Sequence, residues 1–235
     1  MISSEKLLNL IILADLLSVF KAITGKQFYI VKKIMIQNRV LIKTYIDNLR
    51  LKKQILYTNE KVDQSFDNLK ILNDLTDFEA IIITGNGNCL YNSISYIFYG
   101  NEDMFFEIKL GMLSIIFENE IAFRTLLRKT SRVNSFETFV EYIAAPLSWG
   151  DEYCEVAISI LLNKALNVYS IDPKTNIPYS HEYCMNRDIL KNKPISIGFL
   201  TNHFTALLAK KEEVKANVPL FNQFIYKYEN LFIKI

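Results

Sequence analysis

The sequence predicts an α+β fold: a small central sheet flanked by helices and preceded by a helical region. Three observations predict it. Apolar residues recur at three- and four-residue steps through the first 73 residues. Short apolar runs crowd into the last third, at 166–172, 195–200 and 204–209. Between them lies mostly helical spacing, without the strand–helix alternation of a doubly wound sheet.

The first region is taken as residues 1–73, a helical accessory region. Its periodic apolar positions are Leu7, Leu10, Ile11, Ala14 and Leu17, then Ile34, Leu41, Tyr45 and Leu49. Ser4 is placed to cap the first helix and Gly25 to end it. Residues 1–75 hold 12 Lys and Arg against 7 Asp and Glu, net +5, whereas the remainder is net −3. Lys32, Lys33, Arg39, Lys43, Arg50, Lys52 and Lys53 are read as a solvated helix face; a membrane- or partner-binding face is the other reading. The most apolar run, LLNLIILADLLSVF at 7–20, is interrupted by Asn9 and Asp15 and is too short for a membrane span. Glu5 and the lack of a small-residue cleavage pattern argue against a signal peptide.

The character changes near residue 74, and residues 74–235 are taken as the second unit. FEAIIIT (78–84) reads as a strand or an extended entry segment. From Cys89 to Tyr99 the spacing of Leu90, Ile94, Ile97 and Phe98 is helical. Residues 104–129 and 135–144 read as further helices, and Pro146 as a break. Asp151 caps a helix running to about Leu166. LNVYSID (166–172) is a buried strand and PKTN (173–176) a turn. The last two apolar runs form a hairpin about Thr201-Asn202, with His203 at its end. The aromatic tail 218–235 is expected to pack back as a strand or helix.

Composition excludes several function classes. Half of the 235 residues are apolar and 22% charged, the balance of a globular chain. A net charge of +2 does not point to nucleic acid. The three cysteines, Cys89, Cys154 and Cys184, are odd in number, widely spaced and form no CxxC. With only His181 and His203 beside them, neither a disulfide framework, a metal site nor a cofactor is expected, and a cytoplasmic, reducing location fits best.

The loop TGNGNCLYNS (84–93) has three readings. A hairpin turn at Asn86-Gly87 lacks an alternating second strand. A phosphate cradle lacks its third glycine and any following Lys-Ser or Lys-Thr. A nucleophile seat fits better. Cys89 would begin a helix, where unpaired N–H groups and the dipole favour thiolate and lower the thiol pKa. Gly85 and Gly87 allow close backbone approach, and loop N–H groups can face an oxyanion. Of the two histidines, His181 reads as an exposed loop residue. His203, at a sheet hairpin, is the base expected to pair with Cys89.

These residues resemble the OTU (ovarian tumour) family of cysteine proteases. GNGNCLYNSIS resembles that family's G-D-G-N-C nucleophile motif, SWGDEYCEVAISILLNKALNVYSID (148–172) its W-G helix and following strand, and GFLTNHFTALL (198–208) its closing strand. The blocks occur in family order over about residues 78–210. The resemblance implies a papain-type fold and hydrolysis of peptide or isopeptide bonds after the C-terminal glycine of ubiquitin or a ubiquitin-like protein. It implies Cys89 as nucleophile and His203 as general base and acid, with Asn86 and Thr205 in the catalytic set. Gly85, Gly87, Asn88, Asn202 and Trp149 would form the oxyanion and substrate loops, with Gly150 and Glu155 as scaffold.

Two positions depart from the family pattern. Asn86 stands where an Asp is usual, and it can keep the hydrogen bonds without the charge. Thr205 stands where an Asp or Asn orients the catalytic histidine. Thr205, Asn202, Asp74, Asp77 or no residue at all are the options for that role. A ubiquitin-binding module with poor turnover, and a structural helical protein in which GNGNC is a plain turn, are the alternative functions.

Overall fold

The structure, a computed structural model, describes residues 4–58, 61–130, 135–184 and 193–210; residues 4–12 and 129–130 are described by backbone alone. The expected Ser4 cap and the expected packing of the tail 218–235 lie outside the described side chains and residues.

Three helices open the chain: α1 (Ser4–Ile23), α2 (Phe28–Gln37) and α3 (Arg39–Leu51). Gly25, at φ +66°, turns the chain after α1 as expected. Residues 52–62 then run extended, apart from the two that are not described, and a 3-10 turn (Gln64–Phe66) leads into α4 (Asp67–Leu72). The helical reading of 1–73 therefore holds except at this extended stretch. Next come β1 (Phe78–Ala80), α5 (Cys89–Tyr99), α6 (Phe105–Glu118), α7 (Glu120–Thr130), α8 (Phe136–Ile143) and α9 (Glu152–Leu162). The chain closes with β2 (Leu166–Ile171), β3 (Pro178–Tyr183), β4 (Ile195–Leu200) and β5 (His203–Ala209).

Local chemistry sets the helix ends. Asp151 accepts from the N–H groups of Tyr153 and Cys154 and starts α9, as the sequence indicated. The reading of 104–129 as helical needs one correction, a break at Asn119. Its side-chain amide donates to the Ile115 carbonyl, and Asn38 does the same to Ile34 between α2 and α3. The loop 84–88 is followed by a helix, so it is not a hairpin turn.

The five strands lie in the order β1-β5-β4-β2-β3, with β2 and β4 parallel and all other pairs antiparallel. β3 corrects the sequence reading of His181 as a loop residue. It pairs residue for residue with β2 from Leu166↔Tyr183 to Ile171↔Pro178. Its alternation is weak because it is an edge strand with one face in solvent. Alternate residues of β5 face two cores. Phe204, Ala206 and Leu208 join the main core with α5, whereas Leu207 joins Phe66, Leu69, Leu75, Ala80 and Tyr169 on the other face.

The main core continues into the first three helices through Phe20, Val31, Ile42, Ile46 and Leu49. α3 packs on α6 and α9, and α2 on α8. The basic stretch is thus only partly a solvated face. Lys32 and Arg39 pair with Glu120 and Glu118, and Lys52 lies over the Tyr99 ring. Arg50 donates to the last carbonyls of α9. Among the described residues no helix is long and apolar enough to cross a membrane.

Candidate active site

The loop between β1 and α5 is tied down by its own asparagines. The Asn86 side-chain oxygen accepts from the Asn88 N–H at 3.0 Å and from the Asn92 amide at 3.4 Å. This is the role expected of the uncharged Asn86. The Thr84 N–H and hydroxyl both bond to Glu102, which pins the start of the loop. Gly87 sits at φ +84°, and a Cβ there would lie 2.5 Å from the Leu147 carbonyl oxygen. The loop is therefore pressed against the segment before α9. Gly150 serves the same contact from the other side, where a Cβ would lie 2.2 Å from Leu90.

This packing puts Cys89 at the first position of α5, with its thiol against β5. Backbone N–H groups of Phe204, Leu90 and Cys89 itself approach the sulfur. The expected fall in thiol pKa is not met, however. Burial is the larger effect and pushes it up, while the three N–H groups pull the other way. Cys89 is 5% exposed.

His203 begins β5, one residue from the Phe204 N–H that meets the thiol. Gly85 lies against its ring: a Cβ at Gly85 would stand 3.8 Å from both Nδ1 and Cε1. Phe66 packs on the ring at 6.4 Å between centroids. The structure thus brings Cys89, Gly85 and His203 to one place from a helix start, a loop and a strand start. Among the described residues no hydrogen bond joins the His203 ring to Cys89 or to an orienting group.

The options for the orienting group lie as follows. The Thr205 hydroxyl donates to the Ile81 carbonyl, and Thr205 is fully buried. Asn202 sits at φ +63° in the exposed β4–β5 turn, next to Thr201 at φ +50°. The Asp77 backbone carbonyl accepts from the Lys210 backbone N–H, seven residues along from His203, which is roughly 20 Å of strand. Asp74 is at φ +54° beyond α4. His181 needs a correction: it is a half-buried residue of β3 between the rings of Tyr179 and Tyr183, three strands from β5. Burial lowers its pKa.

Trp149 is 48% exposed, so it is not a core anchor. Its ring edge lies against Gly87, and its backbone N–H donates to the Tyr142 hydroxyl. With Leu147 and Tyr142, both largely exposed, it forms an apolar rim beside the loop. Glu155 is buried in α9, where desolvation lifts its carboxyl to about 7 and Tyr183 is its hydrogen-bond partner.

Sequence reasoning missed three contributors: Phe66, Glu102 and Lys109. Lys109, fully buried on α6, donates to Asn88 Oδ1 at 2.9 Å, the Ala145 carbonyl at 2.8 Å and Ser148 Oγ at 3.0 Å. No spacing rule marks them, because each reaches the site from another element. Among the described residues no cluster of metal-ligating side chains occurs.

Known proteins resemble this chain at the level of the fold. The family description "Vertnin, OTU domain" matches residues 80–144. The solved OTU domain of OTUD1 shares 17% identity at a TM-score of 0.53, over 60% of this chain and 93% of that one. The chain carries an OTU fold. The viral OTU domain protease from Dera Ghazi Khan virus is 17% identical, with a TM-score of 0.48 over 60% of this chain and 85% of its own. The Hazara virus OTU bound to ubiquitin is 17% identical, with a TM-score of 0.44 over 56% and 81%. No curated protein matches the sequence. In the OTU fold of this chain, β5 and the start of α5 meet beneath the Cys89 loop, and α1–α3 pack behind it.

Proposed function

We propose that the protein is a cysteine deubiquitinase, with Cys89 as nucleophile and His203 as general base and acid. The observation that carries this reading is the meeting of the Cys89 thiol with the Phe204 N–H, one residue from a histidine whose ring lies on Gly85. The substrate class, ubiquitin or a ubiquitin-like protein, is suggested by the resemblance of the GNGNC motif to that of the OTU cysteine proteases. Residues 74–235 would form the catalytic unit and residues 1–73 an accessory region behind it.

The chemistry follows from the groups present. His203 takes the proton from Cys89 Sγ, and the thiolate attacks the carbonyl carbon of the substrate's terminal glycine. The N–H of Cys89 and those near Gly87 receive the developing oxyanion. Collapse breaks the C–N bond, and His203 returns its proton to the departing lysine amine. Water then attacks the thioester, His203 takes its proton, and the carboxylate and free thiol are released. The exposed apolar rim of Leu147 and Trp149 stands beside the Cys89 loop, where it would meet the substrate tail. Because burial raises the thiol pKa, the Cys89 proton has to be taken up by His203 for attack to begin.

A ubiquitin-binding module with slow turnover is the second reading. It is favoured by the absence of a hydrogen-bonded orienting group on His203 among the described residues. Ubiquitin bearing a C-terminal electrophile separates the two. The enzyme forms an adduct on Cys89 that is lost in Cys89→Ala and strongly slowed in His203→Ala. Tight ubiquitin binding without an adduct would replace the enzyme by the module, and neither binding nor adduct would end both.

A further inference from the structure

We propose that Lys109 is a positioning residue for the nucleophile, holding the Asn88 side chain away from the first turn of α5. The proposal rests on the assignment of Cys89 as nucleophile. Asn88 occupies the N-cap position of α5 yet makes no side-chain cap. An asparagine there ordinarily accepts from the N–H two or three residues on, which here are Leu90 and Tyr91. The Leu90 N–H is one of the groups at the Cys89 sulfur. A self-capping Asn88 would therefore compete with the thiol for a donor the reaction needs.

Lys109 removes that competitor. Its ammonium has three protons, and three acceptors close on it at 2.8–3.0 Å: Asn88 Oδ1, the Ala145 carbonyl and Ser148 Oγ. The Pro146 carbonyl stands further off at 3.5 Å. The Tyr91 ring lies 4.8 Å from the ammonium. The same knot joins the Cys89 loop to residues 145–148, immediately before the Trp149 rim. Among the described residues no carboxylate pairs with this charge. The titratable groups around it are Tyr91 on α5, Cys154 on α9, whose sulfur accepts from Tyr91, and beyond them Asp151 and Tyr142.

Desolvation lowers the Lys109 amine to about 7, with Cys154 opposing. Above that pH the amine has two protons for three acceptors, so the knot that holds Asn88 Oδ1 loses a bond. Lys109 thus couples nucleophile geometry to pH near neutrality.

The test measures iodoacetamide alkylation of Cys89 by peptide mapping, kcat and KM on a ubiquitin substrate, and their pH profiles. Lys109→Met is expected to change the Cys89 alkylation rate and lower kcat about tenfold or more, with KM nearly unchanged and the fold intact by circular dichroism. Lys109→Arg, charged at all working pH, is expected to retain most of kcat and to move the alkaline limb up by about one pH unit or more. A folded Met variant with wild-type kcat and alkylation overturns the proposal. If the Met variant does not fold, an alkaline limb unmoved in the Arg variant overturns it. A wild type that ubiquitin probes leave unlabelled, but whose Cys89 alkylation still depends on Lys109, retires the ubiquitin substrate and keeps the positioning role.

Discussion

Gly87 and Gly85 stand two residues apart, and the structure asks different things of them. Gly87 is left-handed and its α-carbon faces the Leu147 backbone, which cannot step aside as a side chain can. Gly85 has only ordinary van der Waals space before the His203 ring. Gly87→Ala is expected to cost about 1–2 kcal/mol from the dihedral alone, and more from the contact, with probe labelling slowed at least as severely. Gly85→Ala is expected to shift stability by under about 1 kcal/mol. Thermal melts and labelling rates on both variants check this; equal effects would mean that the loop does not hold the described conformation. Gly87 was picked out in the sequence because glycine tolerates positive φ. The reason it must be glycine, a carbonyl from residue 147, was not legible there.

At the scale of elements, the helices that frame the site are anchored at their far ends. α9 starts beside the Trp149 rim on the Asp151 cap and ends under Arg50 of α3. Arg50 donates Nε to the Leu161 carbonyl at 2.8 Å and a terminal nitrogen to the Ile160 carbonyl at 3.1 Å. A helix end leaves its last carbonyls short of partners, and here the Ile160 carbonyl also accepts from the Asn163 N–H. Arg50→Ala is expected to destabilise the fold by about 1–3 kcal/mol, read as a lower urea midpoint at unchanged m-value. An unchanged midpoint would show that solvent replaces the guanidinium at no cost. The basic residues of this stretch looked like a solvated face because periodicity reports only that a residue is polar. Whether a long cationic side chain meets water or a carbonyl depends on which helix lies opposite.

For the molecule as a whole, the apolar core runs without interruption from α1–α3 through α5, α6 and α9 to the sheet. Buried ionisable groups in that core make its stability depend on pH. Glu155 keeps a proton to about 7 in the native state, against an ordinary value of 4.5. Between those values the native state holds a proton that the unfolded chain has released, so stability declines as pH rises through this interval. The full effect is about 3 kcal/mol, complete above pH 7 and absent below 4.5. Glu155→Gln keeps a hydrogen-bonding side chain for Tyr183 and should flatten the decline, leaving the variant the more stable one at pH 8. Urea midpoints at pH 4.5, 6 and 8 decide it, and parallel curves for the two proteins would rule Glu155 out as the source.

The sequence by itself determined the α+β class, the helix that begins at Cys89, the Asp151 cap and the closing hairpin, and it nominated Cys89 and His203 as the pair proposed to react. All of these rest on signals within a few residues: periodicity, caps, turn residues and a short motif. Only the tertiary structure decided that β3 is a strand, that burial outweighs the helix start at the Cys89 thiol, and that Phe66, Glu102 and Lys109 reach the loop. Those outcomes depend on what lies opposite in space. An edge strand owes its form to its partner, a thiol's ionisation to the water it loses, and a buried ammonium to acceptors gathered from two separate stretches of chain.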